Sequence, residues 1–262
     1  MKMKLLASVA IVAATLSSAN VLAKDIVMVA PVIPPHFDSE GNGRIGDVVA
    51  AVMRHCGHKV AFRMVPFGRH WAEYKDGKFD ALATAEGGQT FSGYSTKPFI
   101  HLQDVATVVV GRGLDGASKP EDFAGKHIVS FPGAQQILGL EPILSRFASF
   151  KNRSKRFDQV RPLLAGRADA IFADGLITAH FLQVLRERGA SGQEPDVDTK
   201  LKTVFRRIFS KGPQRLYFRD KSLADEFDRC HQELEATGKL DDIAKPYVDR
   251  FRAVVGDQYP VR

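Results

Sequence analysis

The chain has 262 residues, which is enough for two lobes or for one large α/β domain. Its formal net charge of +7 is modest, and the basic residues are scattered along the sequence. The densest basic stretches, residues 151–156 and Arg206-Arg207, lack the interleaved aromatic residues of a nucleic-acid groove, so we expect no nucleic-acid partner.

Residues 1–23 have the pattern of a cleaved secretory signal peptide. Two lysines precede an apolar run at residues 5–15, and a polar stretch leads to Val21-Leu22-Ala23, with small side chains at the spacing of a cleavage site. The apolar run is too short to span a bilayer. No cysteine lies near the cut, which excludes a lipoprotein. The sequence therefore predicts a mature protein that begins near Lys24 and resides in the periplasm.

The first part of the mature chain alternates strands and helices. Residues 26–33 form a continuous apolar run, which is typical of a buried parallel strand, and Pro34-Pro35 ends it. The pattern then predicts a helix over 46–56, a strand over 59–65, a short helix over 69–76 and a strand over 79–84. This β-α-β-α-β order predicts a mainly parallel sheet with helices on its faces.

A second α/β series follows a β-branched strand at residues 104–110 and a glycine-rich boundary at 111–113. One short helix is placed over residues 159–165, because Pro162 is best tolerated in the first turn of a helix. The two series predict two lobes around a cleft, where ligands bind beyond the C-terminal ends of the parallel strands. The other predicted elements are strands or extended segments at 127–131, 170–173, 204–209 and 216–218, and helices that start at Gly133 or span 175–188, 222–238 and 240–251.

Six short motifs occur along the chain in the order in which they occur in one family of binding proteins. They are Pro34-Pro35-His36-Phe37, Gly77-Lys78-Phe79-Asp80-Ala81, Tyr94-Ser95-Thr96-Lys97-Pro98-Phe99, Pro120-Glu121-Asp122-Phe123-Ala124-Gly125-Lys126, Gly166-Arg167-Ala168-Asp169-Ala170 with Asp174, and Gly238-Lys239-Leu240. Together they resemble the type II periplasmic solute-binding proteins, in the group of the polar amino-acid binders (extracellular solute-binding protein family 3). The resemblance implies a two-lobed α/β fold, in which each lobe is a mainly parallel sheet flanked by helices and two crossover strands join the lobes.

The resemblance also implies how the chain is divided and what it does. Residues 24–111 would form the first part of lobe 1, residues 112–212 lobe 2, and residues 213–262 the second part of lobe 1, with C-terminal helices. The implied function is that of the periplasmic component of an ABC-type transporter. It would capture a small polar solute, amino-acid-like or a carboxylate, in the inter-lobe cleft and present it to the inner-membrane permease. We expect a monomer without cofactor, metal or catalytic activity.

One departure from the family leaves the ligand open. Amino-acid binders carry an Arg shortly before the segment that matches residues 94–99, and this Arg binds the α-carboxylate of the ligand through two parallel hydrogen bonds. Here no Arg occurs between Arg69 and Arg112. Two alternatives therefore remain. One is an exported enzyme on the same scaffold, such as a dehydratase with Glu86 as its acid or base, and the other is an accessory or sensory envelope protein with a degenerate cleft.

Charged candidates for the cleft follow the predicted strands. Asp174 matches the family's Asp that holds the ligand ammonium, and it could equally cap the helix that follows. Arg69 could fork onto a carboxylate or phosphate, or it is a surface residue at the start of a helix. Glu86 would favour a cationic ligand. These residues predict either a site for a zwitterion or a salt bridge between the cleft walls.

Three uncharged candidates complete the predicted ligand-binding set. Phe37 follows the double proline and would cover an apolar part of the ligand, with core packing as the alternative. Thr84 ends a predicted strand and would line the cleft. Gln135 belongs to the 133–136 loop, which opens a helix whose free N–H groups suit an anion. Ala134 stands where the family usually has a hydroxyl residue, which removes one donor from this loop.

The two cysteines, Cys56 and Cys230, lie on apolar faces of two predicted helices. The oxidising periplasm permits a disulfide, and the resemblance places both residues in lobe 1. The sequence supplies no geometry for a bridge, so two buried free thiols are our favoured interpretation and a disulfide is the alternative. His55 and His58 flank Cys56, but ligands this close at one helix end rarely converge on a metal.

Overall fold

A computed structural model describes residues 23–86 and 88–262. Residues 1–22, which carry nearly all of the predicted signal peptide, lie outside the described residues. Strands and helices alternate along the described part, which confirms the predicted α/β class. None of the helices in that part is long and apolar enough to cross a membrane.

Most elements up to residue 109 lie within about two residues of their predicted positions, but the strand predicted at 104–110 begins four residues earlier, and a short strand at Tyr94–Ser95 was not predicted. The elements of this part are the strands β1 (Asp25–Pro31), β2 (Lys59–Val65), β3 (Ala81–Glu86), β4 (Tyr94–Ser95) and β5 (Ile100–Val109), and the helices α1 (Arg44–His55) and α2 (Arg69–Lys75). Period-2 alternation predicts β2, and apolar runs predict β1 and β3, most of whose side chains are buried.

The elements after residue 109 begin with a short 3₁₀ helix. The strands are β6 (His127–Ser130), β7 (Ser149–Asn152), β8 (Ala170–Asp174), β9 (Thr203–Arg206) and β10 (Lys211–Phe218). The helices are α3 (Ala134–Ile137), α4 (Arg156–Leu164), α5 (Gly175–Ala190), α6 (Lys221–Glu235), α7 (Lys239–Asp249) and α8 (Arg252–Val255), with 3₁₀ turns at Pro120–Phe123 and Glu141–Arg146. Helix α4 begins three residues before the predicted start, so Pro162 lies inside it rather than in its first turn.

The strands join in one sheet with two parallel halves. Their order is β2-β1-β3-β10-β5-β8-β6-β7, with β4 beside β10 and β9 beside β5. Strand β1 pairs in parallel with β2 and β3, and β6 pairs in parallel with β7 and β8. Strands β5 and β10 lie between these halves and run antiparallel to their neighbours. The C-terminal ends of β3 and β8 therefore lie beside the two central strands, where Glu86 pairs with Gln214 and Asp174 with Asp104.

Strand β5 belongs to both halves of the sheet. Residues 100–103 pair with β10, whereas residues 104–108 pair with β8, so the partner changes between Gln103 and Asp104. The chain returns at β10, which pairs with β5 and with β3. The predicted lobe boundary at residue 111 lies just beyond the end of β5.

Helices α1, α6 and α7 cover the β1 half of the sheet and enclose fully buried side chains such as Met28, Val48 and Phe227. The end of α1 packs against α6, which brings the Cα atoms of Cys56 and Cys230 to 5.8 Å, and their sulfurs form a disulfide. The favoured interpretation of two free thiols is therefore wrong. Each cysteine does lie on an apolar helix face, but the two faces pack against each other.

Candidate functional site

The two halves of the sheet touch where the parallel strands end. Phe67 follows β2 and Phe131 follows β6, and their ring centroids are 5.8 Å apart in an edge-to-face arrangement. The Cζ atom of Arg156, the first residue of α4, lies 4.5 Å from the centroid of the Phe67 ring. We call the region around this contact the cleft. It is closed at this point, because side chains from both halves meet there.

Arg156 is a buried cation with an open hydrogen-bond donor. Its residue is 8% exposed, and its Nη1 donates to Gln159 Oε1 at 3.2 Å, whereas its Nε has no partner among the described residues. Burial lowers the pKa of the guanidinium to about 10, although the nearby carboxylates of Asp174 and Asp104 raise it. The group therefore stays charged at neutral pH. A planar cation with free donors suits a carboxylate, which accepts from two N–H groups at once.

Aromatic rings line the cleft on the β2 side. The centroid of the Phe67 ring lies 5.0 Å from that of Trp71 and 5.5 Å from that of His70. Burial lowers the pKa of His70 to about 3, so its ring is neutral at physiological pH. Gly68 N–H donates to His70 Nδ1 at 3.2 Å, which leaves the ring proton on Nε2. Neutral rings therefore form the wall on which the guanidinium rests.

The predicted residue Thr84 lies in the floor of this cleft. It is 4% exposed, and its Oγ1 lies 3.4 Å from His70 Nε2. Its carbonyl oxygen accepts a hydrogen bond of 3.2 Å from Trp71 Nε1. The φ angle of 58° is unfavourable for a β-branched residue. Strained backbone of this kind is concentrated at ligand sites, so Thr84 stays in the site that we consider below.

The Asp174 carboxylate accepts four hydrogen bonds from the protein itself. His36 Nε2 lies 3.1 Å from its Oδ1 and Ile177 N–H 3.0 Å, while Tyr259 OH lies 2.6 Å and Gln103 N–H 3.1 Å from its Oδ2. Burial raises the pKa of this carboxyl group, but the bonds from His36, Tyr259 and Ile177 outweigh burial and hold the pKa below its usual range. Two carboxylate oxygens offer about four lone-pair sites, so none is left for a ligand ammonium.

Arg69, predicted to bind a carboxylate, points away from the cleft. Its side chain is 67% exposed, and its Nε donates to Glu73 Oε1 at 2.6 Å. Positions i and i+4 lie on the same helix face, so this pair follows the outer surface of α2. Arg156 comes from the basic stretch 151–156, none of whose residues is among the sequence-based candidates for the cleft. The structure thus places a different Arg in the cleft from the predicted one.

Phe37 and Gln135 also lie outside the cleft. A tight turn pairs Ile33 with Phe37 and directs the Phe37 ring into the core, where it packs on Phe62 with centroids 5.3 Å apart. Gln135 Oε1 accepts from exposed Asn152 Nδ2 at 2.9 Å. Helix α3, which was expected to present its N-terminus to an anion, is only four residues long. We therefore leave Phe37, Arg69 and Gln135 out of the proposed site.

Glu86 and Asp104 share a cavity beside the crossover strands. Glu86 ends β3, and Asp104 lies in β5 directly after the change of pairing partner. Burial raises the pKa of Glu86 to about 7 and that of Asp104 well above its usual range, and each is also raised by nearby carboxylates. The cavity has a volume of about 350 Å³ and is also lined by Gln136, Ile137, Leu138, Gly139, Phe209, Ser210, Lys211, Gly212 and Pro213. Sequence reasoning found Glu86 but missed Asp104.

Raising the pH is expected to destabilise the ligand-free protein through Glu86. Burial raises its pKa from 4.5 to about 7, against the hydrogen bond with Gln214. The folded state then binds the proton more tightly than the unfolded state, so this stabilisation is complete below pH 4.5 and is lost as the pH rises through 7. Relative to Glu86→Gln, the free energy of unfolding of the wild type should fall by about 3 kcal/mol over this interval.

Urea denaturation at several pH values measures this difference. Glu121→Gln is the matched control, because Glu121 is exposed and its variant should keep the pH dependence of the wild type. Parallel stability curves for the wild type and Glu86→Gln would contradict the prediction.

Comparisons with known proteins establish the fold. No protein-family model and no curated protein matches the sequence. Solved structures do match: a histidine kinase sensor domain with similarity to periplasmic binding proteins has a TM-score of 0.68 and 16% identity over 86% of this chain and 96% of that chain. The substrate-binding protein of an amino acid ABC transporter has a TM-score of 0.65 and 18% identity over 86% of this chain and 100% of that chain.

A third similar structure is an ancestral amino-acid-binding protein that is a precursor of cyclohexadienyl dehydratase. Its TM-score is 0.64 and its identity 15%, over 85% of this chain and 94% of that chain. The chain therefore has the fold of the type II periplasmic binding proteins, which confirms the resemblance of the motifs. Identities this low show the fold alone, so the function has to be argued from the cleft.

Proposed function

We propose that this protein is a periplasmic solute-binding protein that closes two lobes on a small polar solute carrying a carboxylate. The single observation that carries this proposal is the Arg156 guanidinium, buried in the cleft with an unused donor. A buried cation is costly unless it is paired. A carboxylate of the solute would supply the missing partner.

The position of Arg156 couples binding to closure. Its guanidinium belongs to the proposed lobe 2 (residues 112–212), but it rests on Phe67 of lobe 1 (residues 24–111 and 213–262). A carboxylate held there would contact groups from both lobes, and contacts of that kind favour the closed state over the open one. We place the hinge at β5 and β10, the strands that connect the two halves of the sheet.

The transport role follows from export and closure together. The predicted signal peptide would deliver the chain to the periplasm, where the closed form would present the solute to an ABC permease in the inner membrane. We propose a monomer that needs no cofactor. Thr84 and the Phe67 and Trp71 rings would line the solute, and Asp174 would hold the lobes together through His36 and Tyr259 rather than bind the solute.

Replacing Arg156 with Gln should weaken binding of a carboxylate-bearing solute at least about 30-fold. Loss of one member of a buried, hydrogen-bonded charge pair costs about 2–5 kcal/mol of binding free energy. A thermal-shift screen of amino acids and small carboxylates identifies the solute, and calorimetry then compares the variants. Arg69→Gln is the matched control, because the same substitution on the exposed Arg should leave the affinity unchanged.

Two results would count against the proposal. Equal affinities of Arg156→Gln and the wild type would remove Arg156 from the site. If no compound of a broad panel shifts the melting temperature of the wild type, this would argue against solute capture. It would favour an accessory or sensory protein with a degenerate cleft.

A second candidate function, an exported enzyme, is favoured by one observation. Burial raises the pKa of Glu86 to about 7, which is where a general acid or base works best at neutral pH. Incubation of the purified protein with the solute, followed by mass spectrometry, tests this directly. Product that accumulates with the wild type and is absent with Glu86→Gln would establish catalysis, and unchanged solute would leave the binding role.

A further inference from the structure

The cavity at Glu86 and Asp104, which we call the acidic cavity, contains a buried acceptor that the protein does not use. Asp104 is 4% exposed and lines the cavity. Its carboxylate accepts no hydrogen bond from the described residues. Glu86 Oε1 lies against β10, since a Cβ atom at Gly212 would come within 1.9 Å of it. Both carboxylates therefore face the same space, beside the crossover strands.

No positive side chain of the described residues neutralises this pair. No ion pair within 4.0 Å joins Glu86 or Asp104 to a Lys, Arg or His of that part of the chain. Lys211 lines the cavity, but its side chain is exposed to solvent. Arg156 influences Asp104 from a distance without reaching it. Buried carboxylates without a counter-charge are unfavourable, and a bound cation would relieve both at once.

We propose that the acidic cavity binds the organic cation of the solute, a primary ammonium or a guanidinium, between Glu86 and Asp104. The inference rests on the proposed function, in which Arg156 binds the solute carboxylate. It adds that the solute carries a positive group at its other end. An ammonium has three N–H donors, which the oxygens of two carboxylates can accept, and Gln136 also lines the cavity.

The geometry argues against the other cation sites. The family's ammonium-binding Asp corresponds to Asp174, whose four acceptor positions are taken by His36, Tyr259, Gln103 and Ile177. A metal ion is a poorer fit than an organic cation. Calcium takes six to eight oxygen ligands, and no group of three or more His, Cys, Asp or Glu in the described residues is arranged to hold a metal.

The test uses three matched series of probes and calorimetry at pH 7.5. ω-Amino acids with two to six carbons carry both charges, fatty acids of the same lengths carry only the carboxylate, and n-alkylamines carry only the ammonium. We expect the best ω-amino acid to bind the wild type at least tenfold more tightly than the fatty acid of equal length. Asp104→Asn should abolish this advantage and leave the affinity for the fatty acid unchanged.

Two further variants keep the test independent of a folding defect. Lys211→Gln removes the positive charge that competes at the cavity and should strengthen binding of the alkylamines and ω-amino acids about two- to fivefold. Glu121→Gln, an exposed change of the same kind, should alter no affinity. Circular dichroism and thermal melting confirm that each variant is folded.

The possible failures are distinguishable. If fatty acids bind through Arg156 and the amine adds nothing, the acidic cavity is overturned while the proposed function stands. If alkylamines bind in an Asp104-dependent manner and fatty acids do not bind, the cavity is supported and the carboxylate site at Arg156 is overturned. Binding of Ca²⁺ or Mg²⁺ that depends on Asp104, without binding of any amine, would overturn the organic cation.

Discussion

Replacing both Cys56 and Cys230 with Ala is expected to lower the free energy of unfolding by about 4–5 kcal/mol. The two residues are 174 positions apart in sequence, so their disulfide closes a very long loop in the unfolded chain. Loss of that constraint restores conformational entropy to the unfolded state. Urea denaturation of the oxidised wild type and of the double variant measures the difference.

The reduced wild type is the best control for this experiment. It keeps both cysteine side chains and loses only the bond, so its stability should match that of the double variant to within about 1 kcal/mol. A loss of less than 1 kcal/mol in both would mean that the disulfide does not constrain the unfolded chain. A loss in the double variant alone would assign the effect to packing between α1 and α6.

The disulfide lies on one half of the sheet, away from the proposed hinge. Cys56 and Cys230 join α1 to α6, and both helices cover the β1 half of the sheet. The bond lies on neither β5 nor β10, the strands on which we place the hinge. We therefore expect its removal to change stability strongly and solute affinity little.

Strand and helix order could be predicted because it follows from local patterns. Apolar runs located β1 and β3, and alternation located β2, each to within about two residues of the structure. The order of six weak motifs then implied the two-lobed fold. None of these signals depends on where an individual side chain points, which is why they identified the fold and not the site.

Arg156 was missed because of a mistaken helix start. Pro162 was placed in the first turn, since an interior proline loses a backbone hydrogen bond and clashes with the preceding turn. The structure has Pro162 as the seventh residue of the nine-residue α4, where it removes one backbone donor and the helix ends two residues later. Starting the helix at 159 left Arg156 in a basic loop. A helix that begins at 156 puts it at the cleft.

Asp104 and the partners of Asp174 required tertiary information. In the sequence, Asp104 is the first residue of a β-branched stretch, which indicated an ordinary strand start. In the structure β5 begins at residue 100, so Asp104 lies within the strand and is buried. Asp174 caps α5, one of the two roles that the sequence left open. Its bonds to His36 and Tyr259 join residues 138 and 85 positions away, which no local pattern specifies.

Replacing Asp174 with Ala is expected to lower the free energy of unfolding by about 3–5 kcal/mol. The substitution leaves four buried donors without an acceptor, on His36, Gln103, Ile177 and Tyr259. Each unsatisfied buried donor costs about 1–3 kcal/mol when nothing relaxes, and partial hydration reduces the sum. Urea denaturation at pH 7 measures the loss.

Asp220→Ala is the matched control, because it also removes an Asp that caps a helix. Asp220 Oδ1 accepts from Ser222 N–H at 2.9 Å at the start of α6, but its side chain is 42% exposed, so water replaces the lost acceptor. Asp220→Ala should lower the free energy of unfolding by about 1 kcal/mol. If Asp174→Ala costs no more than this control, the four bonds to Asp174 are not maintained in solution. The carboxylate would then be open to a ligand ammonium and would compete with the acidic cavity for the solute cation.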